Sequence, residues 1–206
     1  MTQNKRHPML LPTETPAVLA RPADTLNVMI VWLNGTFGVG KTTTAKELTT
    51  LIPEARIFDP EHVGYMLGRV PNLPRLGDFQ HWPPWRHLVV ETASQLLNYV
   101  GGVLIAPQTV LVERYWAEIS TGLERAGIPV HHFVLHTDPD TLAHRIDADT
   151  VESGARQWRL DHISEYCDAV AWLSGEAEVI DTTEVSPVQV AHFIADRIGT
   201  RTAGVD

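Results

Sequence analysis

Residues 28–48 read VMIVWLNGTFGVGKTTTAKEL, and Gly35, Gly40, Lys41 and Thr42 fill the pattern G-x-x-x-x-G-K-[ST]. No other stretch constrains the chain as much. Glycines let a tight loop adopt positive φ angles, so that successive backbone N–H groups converge on one point. The N-terminus of a following helix adds partial positive charge at the same place. The motif needs a strand before it and a helix after it. The apolar run ending at Asn34 and the stretch TTTAKELTTLI supply both. In this pattern the lysine reaches the β- and γ-phosphates of a nucleotide, and the hydroxyl after it ligates Mg²⁺. The expected nucleotide-binding set is therefore Gly35, Thr36, Phe37, Gly38, Val39, Gly40, Lys41, Thr42 and Thr43, with Thr42 on the metal and Lys41 exposed in the empty loop.

The rest of the chain continues the alternation. ARIFDP, GGVLIAPQTVLV, IPVHHFVLHTD and EAEVIDTT read as strands, with helical stretches between and after them. The helix before the last strand is expected from about residue 160 to 173. Repeated strand–helix units require a parallel sheet covered on both faces, here with five strands in three layers. Residues 1–27 carry Pro8, Pro12, Pro16 and Pro22 without periodicity and read as a flexible arm before a single domain spanning 28–206. At 206 residues the chain is long enough for one proper core.

Composition removes several functions. A net charge of −9 argues against a nucleic-acid partner. No apolar run approaches the ~18 residues that span a bilayer. Cys167 is the single cysteine, which points to a reducing, cytoplasmic setting. His131, His132 and His136 lack the spacing of a zinc site and read as packing residues.

Ligands of such sheets lie beyond the carboxyl ends of the strands. Asp59, Gln108, Thr109, Asp138 and Asp181 each follow a strand there, and helix capping is the expected role of the last two. An N-K-x-D guanine-reading motif is absent, and the third strand ends in Pro107 and Gln108 where a motor ATPase would place an acid. A small-molecule kinase manages without that acid. It uses a base near the second strand and arginines that neutralise the transferring phosphoryl group. Asp59 is placed to accept a proton from a substrate hydroxyl or to hold Mg²⁺ through water. Arg145, Arg156 and Arg159 surround a polar, lid-like segment, TVESGARQWR. Asp78, Gln80, Trp82, Trp85, Arg86 and Gln108 are expected on the acceptor side. The two tryptophans there either stack on a planar ring or close the core.

The segments MIVWLNGTFGVGKTTTAKEL, FDPEHVGYML, DFQHWPPWR, GGVLIAPQTV and IPVHHFVL, in this order, resemble the tunicamycin-resistance proteins of bacteria. These are P-loop proteins grouped near nucleotide kinases and chloramphenicol phosphotransferase. The resemblance runs from about Met29 to Ile198. It implies a P-loop kinase fold that binds ATP and Mg²⁺ through Gly35–Thr43, and places Asp59 where related antibiotic phosphotransferases have their catalytic base. The implied reaction is transfer of phosphate to a small hydroxyl-bearing acceptor, such as a nucleoside-type antibiotic or a related metabolite. The implied alternatives are ATP-dependent sequestration of the drug without turnover, and a nucleoside or nucleotide kinase of primary metabolism. Some members carry an amphipathic C-terminal tail linked to membranes. This sequence stops at GTRTAGVD, so the expectation is no stable membrane association, in a monomer or homodimer.

Overall fold

The structure is a computed structural model, described here for residues 28–149 and 156–199. The expected arm, and residues 150–155 of the expected lid-like segment, lie outside the described residues. Five strands form one parallel sheet: β1 (Met29–Asn34), β2 (Ala55–Ile57), β3 (Val103–Pro107), β4 (Val130–His136) and β5 (Glu178–Asp181), in the order β2-β3-β1-β4-β5. The helices are α1 (Lys41–Leu51), α2 (Glu61–Leu67), α3 (Pro83–Val100), α4 (Glu113–Arg125), α5 (Pro139–Ala148), α6 (Arg156–Glu176) and α7 (Pro187–Arg197).

β1 lies at the centre and is buried throughout. Side chains alternate across a strand, so Met29, Val31 and Leu33 enter one core while Ile30 and Trp32 enter the other. The first core receives α1, α6 and α7 through Leu48, Leu173 and Ile194. The second receives α2, α3 and α4 through Val63, Val89 and Ile119. The expected three-layer fold is observed.

The strands are shorter than the runs read from the sequence, and two boundary differences bear on the site. β3 ends at Pro107, because the chain turns there and the Gln108 N–H bonds back to Leu33 O and Ala106 O. α6 begins at Arg156 rather than near residue 160. The first-turn side chain of Gln157 reaches Asp161 one turn on, at 2.8 Å, a pairing that supports helix at this spacing. Arg156 and Arg159 therefore sit on a helix.

Candidate active site

The phosphate loop is pinned from three directions. Asn34, fully buried at the end of β1, accepts from Gly35 N at 2.8 Å and Val110 N at 2.9 Å through Oδ1, and donates to Val110 O at 2.9 Å through Nδ2. Thr109 Oγ1 donates to Gly35 O at 2.8 Å. Gly35 itself has φ 122°, and a Cβ there would lie 2.4 Å from Leu135 O. Only glycine fits. Gly40, at φ 100°, turns the chain into α1.

Lys41 departs from the expected exposure. Its ammonium is half-buried and folded back on the loop, donating to Gly35 O at 2.9 Å and Thr36 O at 2.7 Å. Burial lowers its pKa to about 7; the Glu61 carboxylate opposes that shift and the Arg159 guanidinium adds to it. Thr42 and Thr43 are exposed at the start of α1. Thr36 is fully buried, and its Oγ1 has no hydrogen-bond partner among the described residues.

Phe37 packs against the start of α6. Its ring centroid lies 4.8 Å from Trp158 and 5.6 Å from His162, and the Arg159 guanidinium is 5.8 Å from the same ring. Arg159 is only 7% exposed. It donates through Nη1 to Asp149 Oδ2 at 2.8 Å, while its buried Nε has no acceptor among the described residues. Arg156, by contrast, is exposed and paired with Asp147 at 2.7 Å.

Arg145 faces elsewhere. Its guanidinium donates to Thr182 O at 2.7 Å and Thr182 Oγ1 at 3.2 Å. With Gly38–Gly40 and residues 182–187 it lines a pocket of about 400 Å³ beside the phosphate loop. The capping box of Ser186 and Gln189 fixes the far wall.

On the other side of the loop, half-buried Asp59 follows β2, and its Oδ1 accepts from Glu61 N at 2.9 Å. It thus starts α2, while no protein group bonds Oδ2 among the described residues. Asp78 accepts from Gln80 N at 2.8 Å and from Gln80 Nε2 at 3.4 Å. Trp82 is half-buried, with Nε1 donating to Pro74 O at 2.7 Å.

Three expected acceptor residues point inward. Trp85 is fully buried, with Nε1 donating to Pro60 O at 3.0 Å, so closing the core is the reading it fits. Arg86 is buried against Glu118 at 2.5 Å, bonds Gln80 O and covers the Tyr115 ring at 4.2 Å. Its charge is spent on bracing α3 against α4. Gln108 is buried and donates to Thr109 O at 3.0 Å.

Asn34 and a site role for residues 182–185 escaped the sequence reading. Asn34 directly precedes Gly35 and residues 182–185 directly follow Asp181, so proximity in sequence was their only signal. Asp138 caps α5 as expected, accepting from Thr141 N. Asp181 does not cap a helix, since it ends β5 and accepts from Thr183 N in the turn that follows, while Ser186 caps α7. His132 stacks on Trp116 at 3.9 Å, and His136 pairs with Tyr166 at 2.8 Å. Among the described residues no cluster of three His, Cys, Asp or Glu could hold a metal, and no helix is long and apolar enough to cross a membrane.

Comparisons agree with this geometry. The family profile described as an AAA domain matches residues 30–169. No curated protein sequence matches the chain. The structure of the Deinococcus radiodurans tunicamycin resistance protein is similar at 30% identity and a TM-score of 0.64, covering 85% of this chain and 98% of that one. A sugar kinase from a Janibacter species is similar at 14% identity and a TM-score of 0.60, covering 84% of this chain and 95% of the other. The Mycobacterium tuberculosis APS kinase, solved with AMPPNP and APS, is similar at 16% identity and a TM-score of 0.53, covering 85% of this chain and 99% of that one. These last two share the fold. With the phosphate loop, the 2-3-1-4-5 sheet and the 30% identity taken together, the chain belongs to the tunicamycin-resistance family of P-loop kinase-like proteins.

Proposed function

We propose that the protein is an ATP-dependent phosphotransferase acting on a hydroxyl group of a small molecule, with a nucleoside-type antibiotic of the tunicamycin class or a related metabolite as acceptor, and that this activity confers resistance. The observation that carries the reading is Arg159. Its guanidinium is buried beside the phosphate loop with no acceptor for Nε among the described residues, and it adds to the fall that burial imposes on the Lys41 pKa. A buried donor without an acceptor is costly, and two neighbouring cations repel. An anionic group between them relieves both.

The residues fit ATP and Mg²⁺. Mg²⁺ keeps several waters and is held by one or two protein oxygens plus phosphates, so the lack of a carboxylate cluster is no obstacle. Exposed Thr42 would supply a hydroxyl, and Asp59 a carboxylate through water. Bound Mg·ATP would supply the phosphoryl group and an in-line leaving group. The loop N–H groups and Lys41 hold the phosphates. Asp59 takes the acceptor's proton through Oδ2 as the acceptor oxygen attacks, and Arg159 stabilises charge on the transferring group. The pocket lined by Arg145 and residues 182–187 takes the nucleotide base.

The test is mass spectrometry of a panel of nucleoside antibiotics, nucleosides and sugars incubated with protein and Mg·ATP. A phosphorylated antibiotic is the expected product. ATP-dependent binding of unmodified drug, with no phosphorylated product anywhere in the panel, sinks the transfer reading. Preferential phosphorylation of ordinary nucleosides moves the protein to primary metabolism.

A further inference from the structure

Phosphate binding by the loop uses backbone N–H groups and leaves the side chain at position 37 free. The sequence places phenylalanine there. Its ring is half-buried, and what buries it is the start of α6. Trp158 meets Phe37 at 4.8 Å with the planes inclined at 59°, and His162 meets it edge-on at 5.6 Å and 88°. Trp158 and His162 are one helical turn apart and stack at 4.1 Å, with His162 Nδ1 2.7 Å from Trp158 O. Three rings thus join two elements that no backbone ladder connects.

Position matters as much as contact. Trp158 immediately precedes Arg159, and both lie against the same phenylalanine. Trp158 remains 48% exposed. A residue placed only to fill the core would be covered. This one packs on Phe37 of the loop and on His162 of its own helix, and nearly half of it stays open.

We infer that Trp158 is a positioning residue for phosphoryl transfer: its ring contact with Phe37 holds the first turn of α6, and so the guanidinium of Arg159, in register with the phosphate loop. The inference rests on the kinase reading for its catalytic consequence, and on the three-ring contact alone for its structural one. A guanidinium on a free helix end samples many positions. One fixed to the loop moves with the phosphates it must neutralise, and misplacement of about 1 Å at such a site costs on the order of a hundredfold in rate.

The full chain is tested as wild type, Trp158→Ala and Trp158→Phe. Amide hydrogen exchange in residues 35–40 and 156–160 is followed without ligand, together with ATP affinity and turnover of the acceptor found in the panel. In Trp158→Ala, exchange should rise in both segments together by about threefold to tenfold, the size of a lost aromatic pair. kcat should fall by at least about tenfold, with ATP affinity held within about threefold. Trp158→Phe should restore most of both. In an Arg159→Ala background the Trp158→Ala loss of kcat should vanish, as it must if one residue acts through the other. Looser exchange in 156–160 with 35–40 unmoved, or losses that multiply independently with Arg159→Ala, would overturn the inference. If no acceptor is phosphorylated by wild type, the function reading falls; the exchange data alone then decide, and uncoupled segments overturn the contact's role.

Discussion

The side-chain amide of Asn34 donates to Nε2 of His132 across 3.3 Å, which ties the root of the phosphate loop to a buried imidazole that must stay neutral to accept it. Burial lowers the His132 pKa to about 4, below its ordinary 6.5. The unfolded chain therefore binds a proton that the folded one refuses. Stability is full above about pH 6.5 and is lost as pH falls from there through about 4, on the order of 3 kcal/mol in all. His132→Gln keeps an acceptor without the titration. Its urea midpoint should lie below wild type at pH 7.5, for want of stacking on Trp116, and the gap should close by roughly 2 kcal/mol at pH 5. A gap independent of pH would refute the assignment.

Lys41 gives a signature of nucleotide binding. Its pKa of about 7 leaves it largely neutral at pH 8, and a bound polyphosphate favours the charged form. Binding at pH 8 should take up close to one proton, seen as a dependence of calorimetric enthalpy on the buffer's ionisation heat, and the uptake should fade by pH 6. Lys41→Ala should abolish that uptake and weaken ATP by at least about tenfold.

Gly35→Ala introduces a Cβ 2.4 Å from Leu135 O at a φ of 122°. That oxygen belongs to the backbone, not to a flexible side-chain end. Backbone strain of about 1–3 kcal/mol is expected, together with a displaced loop. The urea midpoint should drop and ATP binding should fail together. Retention of both would mean that the loop has slack that this geometry denies.

Asp59→Asn preserves shape and an acceptor for Glu61 N while removing the charge on Oδ2. ATP affinity should hold within a few-fold, and phosphorylated product should fall by about a hundredfold or more. Full turnover in the Asn variant would leave Asp59 as the start of α2 and nothing else. A parallel fall in nucleotide affinity and a shifted Mg²⁺ dependence would assign it to the metal.

Strand–helix alternation was readable because buried parallel strands are nearly continuous apolar runs, and the phosphate loop because its glycines are dictated by backbone geometry. Side-chain direction was harder. Trp85 belongs with Val89, Ala93 and Leu97 on one stripe of α3, a spacing visible in the sequence but masked by the proline-rich stretch in front of it. Arg86 looked available until Glu118, 32 residues away, was found against it. The start of α6 was hidden by polar residues that favour loop and helix alike. What local pattern cannot show is a contact such as that of Phe37 with Trp158, where the 120 intervening residues carry no trace of the pairing.

The lodging of Lys41 on Gly35 O and Thr36 O sets a threshold for occupancy. An incoming anion must first compete with two hydrogen bonds that the loop makes to its own lysine. A lone sulfate or phosphate that touches only the N–H groups recovers little of that loss, whereas a triphosphate reaching along the loop re-engages the freed ammonium with a stronger, charged partner. The loop should thereby discriminate by ligand length, with abundant small anions held off without any gate.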